Sequence, residues 1–404
     1  MSQPTAHVRT GFGLRYEIKD ELKLIYASRL VERLKENDYQ LSVGRLEIRL
    51  AREFGFCYGV DRAVEYAYET RKKFPERKIF LTGEIIHNPH VNERLSEMGI
   101  EFLTGPRAVA DPSQVQAQDV VIVPAFGVTI GEFDRLAKLG CTLVDTTCGS
   151  VLNVWKNVER YAREGFTAII HGKYDHEETL ATASRATSSG GRYIVLRDMD
   201  ETEAVARFIE GSGDSPADLE QRFVRALSPA FSFSRDLERI GLANQTTMLS
   251  SESLAIESRL RKAMEGRHGT AELSHRFRAF DTICSATQDR QDAVRDMVRE
   301  RLDLMLVIGG FNSSNTGHLV ELAGEHTQAY HIEDASALVS ADEIRHRDHK
   351  TATVVSSRGW LPERPLRVGV TAGASTPNNR VGEVIEQLIR LRGVDPATLG
   401  LREA

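Results

Sequence analysis

Short β-rich runs alternate with amphipathic stretches along nearly the whole chain, and that alternation leaves few architectures open. Residues 46–51, 78–83, 119–125, 142–147, 167–172, 192–197, 304–310, 330–333 and 366–373 read as strands. Residues 151–164 and 290–302 carry helical spacing. Strands separated by helices call for α/β layers with mostly parallel sheets. The 404 residues, 41% hydrophobic and 27% charged, suffice for several such layers around a large core.

Three of the four cysteines share one context. Cys57 closes "RLAREFGFC" and precedes "YGVDRAVEYAYETRKKF"; Cys148 closes "TLVDTTC" and precedes "GSVLNVWKNVERYARE"; Cys284 closes "FRAFDTIC" and precedes "SATQDRQDAVRDMVRERL". Each reads strand, cysteine, helix. A helix start offers unpaired N–H groups and the positive end of a dipole, which stabilise a thiolate. Three such units suggest three α/β modules, and inward-pointing strand ends would bring three thiolates together. Converging thiolates suit a tetrahedral zinc or an iron–sulfur cluster. Structural zinc sites favour close ligand pairs, and no CxxC occurs here. Gly55 and Gly59 beside Cys57 would let backbone approach a bulky centre. Cys141 opens its strand instead and reads as a core thiol.

Other polar groups cluster at strand C-termini, where open α/β sheets bind ligands. They are His87 and Asn88 in "GEIIHNPHVNERL"; His171, His176, Glu177, Glu178 and Thr179 in "IIHGKYDHEETLATAS"; and Thr246 and Thr247 in "ANQTTMLSSES". Asn312, Ser313, Ser314 and Asn315 follow in "VIGGFNSSNTGHL", and Ser375 in "GVTAGASTPNN". Taken singly, a Ser/Asn run is a helix cap and the acidic pair a solvated first turn. Taken together, hydroxyls, amides and imidazoles make a donor-rich pocket suited to a phosphate or diphosphate. No GxxxxGK[ST] or GxGxxG follows a strand, so ATP and NAD(P) have no motif. A formal net charge of −6 argues against nucleic acid as a partner. No apolar run approaches the ~18 residues that span a bilayer, and no signal pattern opens the chain, so a cytoplasmic protein off the membrane is expected.

These segments, with "GFCYGVDRA", "VDTTC", "HGKYDHEET", "NQTTM", "TICSATQDRQ" and "GVTAGASTP", resemble in order the 4-hydroxy-3-methylbut-2-enyl diphosphate reductase (LytB/IspH) family from about residue 45 to 385. The resemblance implies a trefoil of three α/β modules around one [4Fe–4S] cluster per subunit, with Cys57, Cys148 and Cys284 as ligands. It places His87, His176, Thr246, Ser313, Ser314, Asn315 and Ser375 on substrate-contact positions and Glu178 on the proton-delivery position. The implied reaction is reductive removal of a hydroxyl to give isopentenyl and dimethylallyl diphosphates. A one-electron donor such as ferredoxin or flavodoxin would supply the electrons to a monomer or homodimer. A non-catalytic iron–sulfur sensor or electron carrier of the same fold, or a zinc-stabilised binding protein, stands as the alternative.

The expected organisation is an N-terminal extension (1–45), modules at 46–147, 148–283 and 284–380, and a C-terminal helix and tail (381–404). Residues 20–37 should form a packing helix, and 210–223 a loop followed by a short helix. Phe126, in "PAFGVT", stands where the better-known bacterial branch has a diphosphate-contacting histidine; the plant and cyanobacterial branch looks the same there. His90 is a candidate to compensate. Gly149 stands where proline usually follows the second cysteine.

Overall fold

The structure, a computed structural model, describes residues 6–280 and 282–399. Asp281 and the ends of the expected extension and tail, residues 1–5 and 400–404, lie outside the described residues. Two compact units divide the chain. One comprises Met1–Arg9, Arg77–Gly83 and Glu101–Cys284; the other comprises Thr10–Glu76, Glu84–Ile100 and Ser285–Ala404.

The first unit holds two sheets. One has five strands in the order β1 (His7–Val8), β7 (Thr142–Asp145), β6 (Val120–Val123), β4 (Ile79–Leu81) and β5 (Ile100–Phe102). The other has four, in the order β11 (Phe277–Ala279), β10 (Ile240–Asn244), β8 (Thr167–His171) and β9 (Tyr193–Leu196), all paired in parallel. The second unit is built on a seven-stranded sheet, β15 (Val354–Arg358), β14 (Glu343–Arg347), β13 (Gln328–Ile332), β12 (Leu304–Ile308), β16 (Leu366–Ala372), β3 (Leu46–Leu50) and β2 (Gln40–Val43). β6, β8 and β12 are buried at every residue, as expected of parallel strands covered on both faces. The α/β class therefore matches the expectation, and the described residues form three sheets.

Several elements differ from it. The strand expected to open the first module, β3, pairs with β16 from Leu46↔Leu366 to Leu50↔Val370 and so lies in the third sheet. Sheet membership is a long-range pairing that the apolar run alone does not encode. Residues 20–37 form two helices, Arg15–Tyr26 and Arg29–Glu36, rather than one. Ala27 is extended (ψ 162°), and the Ser28 hydroxyl accepts from the Val31 N–H at 3.0 Å, so a serine cap starts a second helix. The helices expected at 151–164 and 290–302 run Gly149–Arg163 and Ser285–Val298, each beginning at its cysteine. Within 210–223 the helix is Pro216–Arg222, capped by Ser215 with proline in its first turn.

Candidate active site

Each of the three cysteines sits where its helix begins. Cys57 and Cys148 are the N-caps of Tyr58–Lys73 and Gly149–Arg163, and neither sulfur accepts a capping hydrogen bond. Gly149 thus starts its helix without the proline. Cys284 directly precedes Ser285–Val298. Main-chain bonds fix all three: the Cys57 N–H donates to Ala374 O (3.1 Å), Cys148 to Ala125 O (2.9 Å) and Cys284 to Thr246 O (3.3 Å). Before Cys57 the chain turns at Gly55, whose φ of +73° disfavours other residues. A side chain there would also strike the Asn378 amide oxygen at 2.8 Å. The Arg290 guanidinium holds the Gly55 carbonyl with two bonds (2.7 and 3.2 Å).

All three thiols are partly exposed and outside any disulfide. Cys141 is the contrast: fully buried against Phe80, Leu136 and Leu143, it donates to Leu136 O at 3.5 Å, and burial pushes its thiol pKa up. Partly exposed thiols at the positive ends of helices are a donor set that fits a thiolate-ligated iron–sulfur cluster; Cys141 does not belong to it.

In the first unit, His176 and Thr246 both bond to Glu178. His176 caps the helix Glu177–Ser188: its Nδ1 accepts from the Glu178 N–H (3.1 Å), so a neutral imidazole carries its hydrogen on Nε2. Glu178, 2% exposed, receives two bonds from one residue. The Thr246 N–H donates to Oε1 (2.6 Å) and the Thr246 hydroxyl to Oε2 (3.0 Å). Since the Thr246 carbonyl accepts the Cys284 amide, one threonine joins the buried carboxylate to a cysteine loop. Glu177, with its side chain 59% exposed, has its Oε2 3.9 Å from His176 Nδ1. The Phe126 ring meets the His176 imidazole edge-on, with ring centroids 6.0 Å apart.

Sequence reasoning passed over Gln245. Its side chain ties the loop together, accepting from the Lys173 N–H and the Thr179 hydroxyl (both 3.1 Å) and donating to the Thr247 hydroxyl (2.8 Å). Its place between Asn244 and two threonines was the available signal.

In the second unit, Ser313 is a cap, accepting from the Thr316 N–H (3.3 Å) and hydroxyl (3.0 Å). Ser314 and Asn315 occupy the first turn of Ser314–Gly324 and are buried. Asn315 Oδ1 accepts from the Ala374 N–H at 2.9 Å, and the Ser375 hydroxyl donates to the His87 carbonyl at 3.0 Å. Ser375, Asn315 and His87 are therefore brought together here. The His87 Nδ1 lies 3.2 Å from Glu84 Oε2, and the Asn312 amide donates to the same oxygen at 2.8 Å. Glu84 had carried no signal beyond its spacing to His87. The ring of His90 is engaged elsewhere: its Nε2 lies 2.9 Å from Asp334, and that bond holds the Asp334 carboxyl well below the usual range. Among the described residues, no helix is long and apolar enough to cross a membrane.

The pattern of the LytB protein family matches residues 48–389. The 4-hydroxy-3-methylbut-2-enyl diphosphate reductase of Synechococcus sp. (strain CC9605) is 48% identical over 95% of both chains. The reductase of the same name from Gloeobacter violaceus is also 48% identical, over 97% of this chain and 94% of its own. A solved structure of (E)-4-hydroxy-3-methyl-but-2-enyl diphosphate reductase, described as the terminal enzyme of the non-mevalonate pathway, aligns with TM-score 0.50 at 26% identity. It covers 85% of this chain and 99% of that one. The Plasmodium falciparum E-1-hydroxy-2-methyl-but-2-enyl-4-diphosphate reductase, 20% identical, shares the fold with TM-score 0.62 over 85% of this chain and 89% of its own. With the family pattern spanning most of the chain and near-full-length relatives close to half identical, the chain belongs to the LytB family.

Proposed function

We propose that the chain reduces (E)-4-hydroxy-3-methylbut-2-enyl diphosphate. Two electrons and two protons enter, the C4–O bond breaks, and water leaves with isopentenyl or dimethylallyl diphosphate. The observation that carries this reading is the buried Glu178 carboxylate, clasped by the N–H and hydroxyl of Thr246, whose carbonyl takes the Cys284 amide. A proton donor next to a thiol loop is what reductive loss of a hydroxyl requires.

Cys57, Cys148 and Cys284 would hold a [4Fe–4S] cluster. When bound, such a cluster supplies electrons one at a time, from an external carrier, and a Lewis-acidic iron without a protein ligand. The remaining work falls to the chain's own side chains. The N-terminal turn of Ser314–Gly324 offers backbone donors and a positive dipole end to a diphosphate. Ser314, Asn315, His87 and His176 add side-chain donors, with Ser313 shaping the turn. Ser375 joins them by turning its hydroxyl from the His87 carbonyl to a phosphate oxygen. Once Glu178 is protonated, its O–H can donate to Thr246 Oγ1. That frees the threonine hydrogen for the departing oxygen, and one hydroxyl relays the proton.

Anaerobic purification with iron and sulfide analysis, followed by assay with the diphosphate substrate and a chemical reductant, tests the reading. The expected result is a brown protein that turns substrate over. Zinc without sulfide, or a cluster without turnover, would overturn it.

A contact to the anion also separates binding from helix structure at Asn315. Asn315→Ala should raise KM about 10- to 150-fold, the equivalent of the roughly 1.5–3 kcal/mol of a bond to a charged group. Its bond to Ala374 should cost only about 1 kcal/mol of stability. Unchanged kinetics with that stability loss alone would make Asn315 a structural residue.

A further inference from the structure

A hairpin that the proposed reaction does not use grips the loop leading into Ser314–Gly324. β14 and β15 pair with each other over five residues, whereas the register of β14 on β13 is a single pair, His331 opposite Arg347. Directly opposed residues of an antiparallel pair project to one face, and both of these side chains reach the same loop. His331 Nε2 donates to Gly309 O at 3.0 Å, and Arg347 Nη1 donates to Phe311 O at 2.5 Å. The Phe311 ring lies edge-on to His331 at 5.1 Å and takes the Arg347 guanidinium over its face at 6.0 Å.

His349 completes the grip. Its ring stacks on His331 (5.2 Å, 14°), with its Nε2 3.2 Å from His331 Nδ1. Burial and the neighbouring His349 push the His331 pKa down to about 3. His331 is therefore neutral and must carry its hydrogen on Nε2 to donate to Gly309. Its Nδ1 can only accept, so His349 is the donor. The gripped loop has little slack. A Cβ on Gly309 would lie 2.5 Å from the Thr316 hydroxyl, and one on Gly310 would lie 2.6 Å from the His87 carbonyl. A shift of this loop therefore moves the first helical turn with it.

We propose that Arg347 and His349 are positioning residues: from the hairpin they set the main-chain path of residues 309–312, and so aim Ser314 and Asn315 at the substrate diphosphate. This rests on Ser314 and Asn315 being the diphosphate contacts. The test is steady-state kinetics of the cluster-loaded enzyme with inorganic diphosphate as a competitive inhibitor. Arg347→Ala should raise KM and the diphosphate Ki together by about tenfold, the value of one oriented hydrogen bond, and leave kcat within about twofold. Arg347→Lys, which keeps a cationic donor, should restore most of the affinity. His349→Ala, at an exposed position that tolerates truncation, should show a smaller rise of the same kind. A lowered melting temperature with KM and Ki unchanged in both alanine variants would overturn the proposal, as would a fall in kcat with KM unchanged. Asn315→Ala keeps the two readings apart. If it leaves Ki unchanged, the diphosphate assignment itself fails. If it raises Ki while both hairpin variants do not, only the positioning role fails.

Discussion

Replacing Cys148 with serine should abolish the visible absorption near ~400 nm that an oxidised thiolate-ligated iron–sulfur centre shows, and turnover with it, while Cys141→Ser keeps both. A serine oxygen is harder and far less acidic than a thiol, so it is a poor replacement in a thiolate-selected site. Cys148 is partly exposed at a helix start, with its sulfur taking no part in capping, so the substitution leaves the helix start intact. The folded chain should melt close to wild type with metal withheld. Cys57→Ser and Cys284→Ser should behave alike, because each cysteine directly precedes its helix. Cys141→Ser puts a hydroxyl into an apolar cluster and should cost about 1–3 kcal/mol of stability with iron content unchanged. Iron and acid-labile sulfide per chain, measured under nitrogen, decide the matter. Full iron in Cys148→Ser, or loss only in Cys141→Ser, would reject the ligand set.

The parts of this molecule legible in its sequence are those encoded locally. A cysteine followed by a long amphipathic run is a statement about the next few residues, and all three such helices begin at the cysteine. The outward turn of Glu177 and inward turn of Glu178 follow from the ~100° between successive helical residues, and the exposures agree. Long-range pairing was not legible. Nothing within Leu46–Leu50 says that it runs beside Leu366–Ala372, so the expected modules 46–147 and 284–380 separate two strands that share a sheet. The hairpin Glu343–Arg358 escaped notice because Glu343–Arg347 holds a single apolar residue, Ile344, and Val354–Arg358 only the pair Val354–Val355, too short an apolar run at a sheet edge to mark a strand. Ser28 was hidden inside a helical pattern that continues on both sides of it. At the Ser-Ser-Asn run the plain reading and the functional one hold for different residues. Ser313 caps, whereas Asn315 reaches across to Ala374.

Glu178→Gln should separate catalysis from binding most sharply, with kcat falling ~10²–10⁴-fold, the range for loss of a general acid. Two features make the substitution clean. Glutamine keeps the length and planar shape of the side chain. Its carbonyl oxygen can still accept the Thr246 N–H that Glu178 Oε1 takes at 2.6 Å. On the other side an amide NH₂ replaces the oxygen that accepts the Thr246 hydroxyl at 3.0 Å. That NH₂ can donate to the threonine oxygen but has no proton to give up, so the relay is formed and cannot deliver. KM, cluster content and melting temperature should therefore stay near wild type. Thr246→Val should fall in kcat for the complementary reason: the carboxylate remains and its hydroxyl link is gone, while the main-chain bond from residue 246 persists. Glu177→Gln should be nearly silent, since that side chain is 59% exposed and the Thr246 bonds go to Glu178 instead. Single-turnover reduction with a chemical reductant removes dependence on the electron carrier and reads the proton step itself. If Glu178→Gln matches wild type there while Glu177→Gln is inactive, the proton reaches the leaving hydroxyl from the exposed carboxylate, and the Glu178–Thr246 clasp is structural.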